Sequence, residues 1–182
     1  SEYLLMVHSS CLPYMLTIAA KSKHEIDRLK SLLSCEFDMK DLGATRKIIG
    51  IKICCDRKAE KLWLSQKKYL QKVLERFSML DTKSVKTPIA AHFRLTSQMS
   101  PAIEKEVEYM SRVPYANVVG CLMYLMVCTK PDISHAVSMI SRYMANPGKE
   151  HWNVVKWILR YLKGTRDSGI MFDHSEAAGK VV

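Results

Sequence analysis

The stretch from Met110 to Thr165 constrains the fold of this chain most: MSRVPYANVVGCLMYLMVCTKPDISHAVSMISRYMANPGKEHWNVVKWILRYLKGT. Its apolar residues recur at spacings of three and four, broken by Pro and Gly, which predicts three amphipathic helices joined by short turns. The first is expected to start at Pro114 and to bury Tyr115, Val118, Val119, Leu122, Met123 and Met126. The second is expected to start at Pro131 after a Thr129 cap, with Ile133, Ala136, Val137, Ile140 and Met144 inside and Asn146-Pro147-Gly148 as its stop. The third should run from about Lys149 to Lys163 around Trp152, Val155, Leu159 and Leu162, with Gly164 as terminator.

Upstream the pattern is mixed. Residues 1–20 read as one or two short apolar strands, and Lys21–Phe37 as a helix with Ser22 as N-cap and Ile26, Leu29, Leu32, Leu33 and Phe37 on one face. Asp41-Leu42-Gly43 is expected to be a turn. A strand from Arg46 to Cys55, a polar turn and a strand from Lys61 to Leu64 predict a hairpin. Ser65 would cap a helix to about Met79 with Tyr69, Leu70, Val73, Leu74 and Phe77 inward. Leu80–Arg112 has little periodicity beyond a short helical stretch near Glu104–Tyr109, and reads as a linker between two lobes. Gly169–Phe172 is a candidate last strand. The fold class is α+β: residues 1–79, a linker at 80–112, and a mainly helical lobe at 113–182.

Lys and Arg number 28 against 18 acids, a formal net charge of +10. Such a balance favours polyanionic partners, nucleic acid first, and equally describes a solvated basic surface. The six cysteines form no C-x-x-C pair, and with the two central histidines, His135 and His151, they offer no zinc-ligand spacing, so no metal site is expected. Absence of a secretory signal suggests reduced thiols in an intracellular protein, nuclear or cytoplasmic. The apolar run Cys11–Ala20 is too short for a membrane span, and no membrane partner is expected. Ser1 in place of an initiator Met suggests a fragment or a processed product.

The order V-P-Y-A, V-G-C-L-M-Y, T-K-P-D-I-S-H-A-V, S-R-Y-M, N-P-G-K-E-H-W and W-I-L-R-Y-L-K-G-T resembles the polymerase polyprotein of copia-type LTR retrotransposons, between the reverse-transcriptase palm and ribonuclease H. KHEIDRLKSLLSCEFDMKDLG, from Lys23, resembles the family's palm helix and the turn after it. IIGIKI (Ile48–Ile53) with LWLSQKKY (Leu62–Tyr69) resembles the hairpin and helix that follow the palm. The resemblance implies a partial palm at 1–79 and a thumb and connection lobe at 113–182. It implies a primer-grip role for Ile49, Gly50, Ile51, Lys52 and Trp63. It further implies that basic faces bearing Lys67, Lys68, Lys72, Arg76, Lys149, Lys156, Arg160 and Lys163 track an RNA–DNA or DNA duplex. Other parts of a Pol polyprotein are expected partners. The bland reading of the hairpin puts Trp63 in a core, and that of the helices leaves a solvated charged surface.

One departure bears on activity. The family's Tyr-x-Asp-Asp turn, which helps hold catalytic Mg²⁺, would fall near Leu12-Pro13-Tyr14-Met15, and no acid occurs between Glu2 and Glu25. The ligands of the family's magnesium are therefore missing, no cofactor is expected, and no residue is assigned as catalytic. The expected function is a catalytically inactive fragment of an RNA-directed DNA polymerase. The alternatives are a non-catalytic nucleic-acid-binding module or an inert transposon-derived product.

Overall fold

A computed structural model describes residues 2–8, 13–19, 22–44, 47–56, 58–59, 61–173 and 180–181. The chain divides into two compact units, residues 1–49 and 50–182. The division therefore lies ahead of the hairpin, not in the 80–112 segment where a linker was expected.

In the first unit, β1 (Glu2–His8) pairs antiparallel with both β2 (Pro13–Ala19) and β3 (Asp38–Ala44), giving the order β2-β1-β3. Between β2 and β3 lies α1 (Lys23–Glu36). Ser22 is at the N-cap position but its hydroxyl caps nothing. The apolar stripe of α1 is mostly uncovered: Ile26 is buried and Leu33 packs beside it, whereas Leu29, Leu32 and Phe37 are exposed. Asp41-Leu42-Gly43 is a bulge within β3 instead of a turn. Pairing slips between Tyr3–Ala44 and Leu5–Asp41, Gly43 takes φ +77°, and its N–H donates to the Asp41 carboxylate at 2.8 Å. The short β4 (Lys47–Ile48) closes the unit. Of the expected catalytic slot, Leu12 lies outside the described residues, and Pro13–Met15 open β2.

The second unit begins at a turn. Ile49 and Gly50 both take positive φ, +45° and +85°, which ends the strand expected to run unbroken from Arg46 to Cys55. Beyond it β5 (Ile51–Asp56), β6 (Lys61–Ser65), β7 (Ile170–Asp173) and β8 (Lys180–Val181) form an antiparallel sheet in that order. Asp56 closes the hairpin by accepting from the N–H groups of Lys58 and Ala59.

Five helices follow the hairpin: α2 (Lys67–Arg76), α3 (Glu104–Ser111), α4 (Tyr115–Cys128), α5 (Ser134–Ser141) and α6 (Lys149–Gly164). Their core joins Leu70, Val73 and Leu74 of α2 to Val118, Val119, Leu122 and Leu125 of α4, Val137 and Ile140 of α5, and Val155, Ile158, Leu159 and Leu162 of α6. Met123 and Met126 are only half-buried, Leu125 takes the inward position between them, and Met144 lies beyond the end of α5 in the open. The helix expected from Pro131 begins as a 3-10 turn, Pro131–Ile133, and Thr129 does not cap it. Among the described residues no single helix is long and apolar enough to cross a membrane.

Candidate nucleic-acid interface

Residues 82–100 are not a free linker. They run antiparallel along α6 as an irregular strap, with a turn at Ala90–Phe93 and a 3-10 turn at Ser97–Met99, held mainly through backbone carbonyls. Near its C-terminal end, α6 sends Lys163 Nζ to the Thr82 carbonyl at 2.6 Å and Arg160 Nε to the Lys83 carbonyl at 2.7 Å. A Cβ on Gly164 would sit 3.2 Å from Ser84 Cβ, so the glycine lets the strap lie close. Further back along the helix, Trp157 Nε1 donates to the Thr87 carbonyl at 2.9 Å, and its ring meets Phe93 and His92 edge-on. Tyr143, after α5, donates to the Leu95 carbonyl at 3.0 Å. At the N-terminus of α6 the strap crosses Gly148, where a Cβ would lie 1.8 Å from the Met99 oxygen, and Ser100 Oγ donates to the Asn146 carbonyl.

This packing brings two acid-free segments together. No Asp or Glu occurs from Thr82 to Ile103 or from His151 to Arg166. The strap contributes Lys83, Lys86 and Arg94, all exposed, and α6 contributes Lys156, Arg160 and Lys163 from the face opposite its buried residues. Among the described residues none of these six forms a salt bridge. Like charges gathered without compensating acids oppose folding, and a bound polyanion relieves that repulsion.

The basic residues expected to bind a duplex thus separate into three kinds. On α2, Lys68, Lys72 and Arg76 form an exposed stripe at four-residue spacing with no salt bridge among the described residues, although Arg76 lies over the Phe77 ring. Lys67 instead pairs with Asp167 at 2.5 Å, and Lys149 lies 3.8 Å from Glu106 and over the Tyr109 ring. Both pairs are exposed and contribute little to stability. Arg160 and Lys163 secure the strap, and Lys156 has no such partner. Sequence reasoning gave no binding role to Lys83, Lys86 or Arg94, although Lys86-Thr87-Pro88 and His92-Phe93-Arg94-Leu95 resemble family motifs and no acid lies around them.

The hairpin residues do not form one cluster. Lys52 and Trp63 share a face of the sheet, because Lys52 pairs with Ser65 and Cys54 with Trp63. Ile51 falls on the other face, and Ile49 and Gly50 belong to the turn before β5. Trp63 is half-buried beside Cys54 and Met171, so it is neither a core residue nor a free stacking face. Gly50 approaches Tyr69: a Cβ there would lie 3.8 Å from Tyr69 Cβ. Among the described residues no group of three or more His, Cys, Asp or Glu is placed to hold a metal ion.

The family model for reverse transcriptase (RNA-dependent DNA polymerase) matches residues 14–91. The chain is 53% identical over 159 residues to the retrovirus-related Pol polyprotein from transposon TNT 1-94 of Nicotiana tabacum, covering 87% of this chain and 12% of that protein. It is 38% identical over 148 residues to the Pol polyprotein from transposon RE2 of Arabidopsis thaliana, covering 81% of this chain and 9% of that protein. The chain belongs to the copia-type reverse-transcriptase family. A mitochondrial protein of Arabidopsis thaliana, AtMg00810, is 37% identical over 138 residues, 76% of this chain and 53% of that protein. The chain thus spans a small part of the polyproteins and about half of the mitochondrial protein. No solved structure is a significant match.

The copia-type motifs are joints of the helical core. In T-K-P-D, Thr129 Oγ1 donates to Gln66 Oε1 at 2.7 Å, Lys130 Nζ to the Thr165 carbonyl at 2.5 Å, and Asp132 accepts from Tyr161 at 2.5 Å. Burial pulls the Lys130 ammonium below the usual lysine range, against the nearby Asp132 and Asp167 charges. Burial and the Asp132 hydrogen bond push the Tyr161 phenol up to about 12. In S-R-Y-M and N-P-G-K-E-H-W, Tyr143 stacks on the buried His151 at 4.0 Å, and His151 Nδ1 accepts from the Gly148 N–H at 2.9 Å, one half of a capping box at the start of α6.

Proposed function

We propose that this chain is a non-polymerising segment of a copia-type reverse transcriptase that binds nucleic-acid duplex through the strap–α6 surface and the α2 stripe. The single observation that carries the binding half is the meeting of two acid-free segments whose six basic side chains form no salt bridge among the described residues. Lysines and arginines on such a surface neutralise phosphates and release counterions. In this reading residues 1–79 correspond to the end of the palm and the helices from α4 onward to the thumb and connection. Lys52 and Trp63 are its best primer-grip residues, since they share a face of the hairpin.

The inactive half rests on the missing carboxylates. Two-metal phosphoryl transfer requires acidic ligands, and the slot around Pro13–Met15 supplies none. Anisotropy of a labelled RNA–DNA primer–template tests binding, and magnesium-dependent primer extension tests inactivity. The expected result is saturable binding with no extension. Extension would overturn the inactive assignment, and a folded sample that binds no duplex would overturn the binding one.

A further inference from the structure

The strap–α6 crossing holds more than charge. His92, Phe93 and Trp157 form a compact aromatic cluster, with centroids 4.4 Å apart for His92–Phe93, 5.7 Å for Phe93–Trp157 and 6.1 Å for His92–Trp157. The Arg160 guanidinium carbon lies 5.2 Å from the Trp157 ring centroid. The Thr87 carbonyl fixes the indole, and Phe93 packs against the core, so both rings are held in place. His92 sits at the outer edge of the cluster and is exposed. Lys86 and Arg94 flank the cluster along the chain, and both are exposed.

We infer that this cluster is a stacking site for an unpaired nucleobase, so that the chain binds single-stranded nucleic acid next to its duplex surface. This rests on the nucleic-acid reading above and adds to it a ligand with free base faces. Phosphate contacts alone do not select a single strand, because a duplex presents phosphates too, and at the higher charge density. A fixed aromatic face does, because duplex bases hide their faces in the stack. Cations beside that face hold the phosphates that flank the stacked base.

The test uses the full chain and three labelled probes: oligo(dT) of about 12 nucleotides, an abasic strand of the same length, and a blunt duplex. The abasic strand keeps the phosphates and removes the bases. The expected result is oligo(dT) binding about tenfold tighter than the abasic strand, from stacking of a single base. His92→Ala should shrink that ratio and His92→Phe should retain it, with both variants still unfolding cooperatively well above the assay temperature. Equal binding of the two strands by the unmodified chain, or an unchanged ratio in His92→Ala, overturns the stacking site. If the duplex still binds in that case, the duplex reading stands. No binding to any probe overturns both.

Discussion

The strap's closest approach to α6 gives the sharpest stability prediction. Gly148 has φ −100° and ψ 178°, a conformation open to any residue, so the requirement for glycine there is steric. Alanine would place its methyl 1.8 Å from the Met99 oxygen and 2.9 Å from its carbonyl carbon. Both are backbone atoms, so the strap must lift by more than about 1 Å to restore van der Waals contact. Lifting loses the Ser100–Asn146 hydrogen bond, about 0.5–1.5 kcal/mol. Residual overpacking adds about 1–3 kcal/mol, so Gly148→Ala should destabilise by about 2–4 kcal/mol. The same change at Gly120, inside α4 with nothing within 4 Å of a new Cβ, should stabilise by about 0.5–1 kcal/mol through helix propensity. All three tryptophans lie in the second unit, so urea unfolding followed by tryptophan fluorescence reports that unit alone. Opposite signs for the two variants are expected. A Gly148→Ala protein within about 0.5 kcal/mol of the parent would show that the strap does not lie on Gly148 as described.

Three further outcomes follow from the same contacts. Burial lowers the His151 pKa, while the Thr96 backbone and the Glu150 charge act the other way, and protonating Nδ1 would also break the Gly148 cap. Its contribution should be complete above the unfolded value of about 6.5 and be lost as pH falls below it, with a slope of at most about 1.4 kcal/mol per pH unit. His151→Gln keeps an acceptor for Gly148, so it should remove that pH dependence in denaturant titrations. Tyr161→Phe should cost about 1 kcal/mol by deleting the bond to Asp132 and should remove one phenol that titrates near 12 in ultraviolet absorbance. Lys72→Glu replaces like-charge neighbours at Lys68 and Arg76 by attractive ones. Thermal unfolding should show α2 stabilised by about 0.5–1 kcal/mol while duplex affinity falls, the two effects running in opposite directions.

The helices were legible because each buries a periodic stripe, as in Leu70, Val73 and Leu74 or Val155, Leu159 and Leu162. The strap was not, because it is held through the carbonyls of Thr82, Lys83 and Thr87, and a carbonyl carries no sequence signature. For the same reason Arg160 and Lys163 read as free phosphate binders. Only the fold shows that they hold down a backbone. The break at Ile49 was hidden because isoleucine rarely takes positive φ, and Gly50 beside it was the one hint. The site was legible as composition, basic and poor in acids, but not as a place, since residues 82–94 and 156–163 meet only through tertiary packing.

The most direct test of a strap–α6 duplex surface is the salt dependence of binding to a labelled RNA–DNA duplex, compared between the parent chain and Lys83→Gln/Lys86→Gln. If Lys83, Lys86, Arg94 and Lys156, the four not bonded to strap carbonyls, meet phosphates, log K should fall against log salt with a slope of at least about −3.5 in magnitude, and the double variant should flatten it by about 2. A slope near zero, or one that the variant leaves unchanged, would contradict the surface.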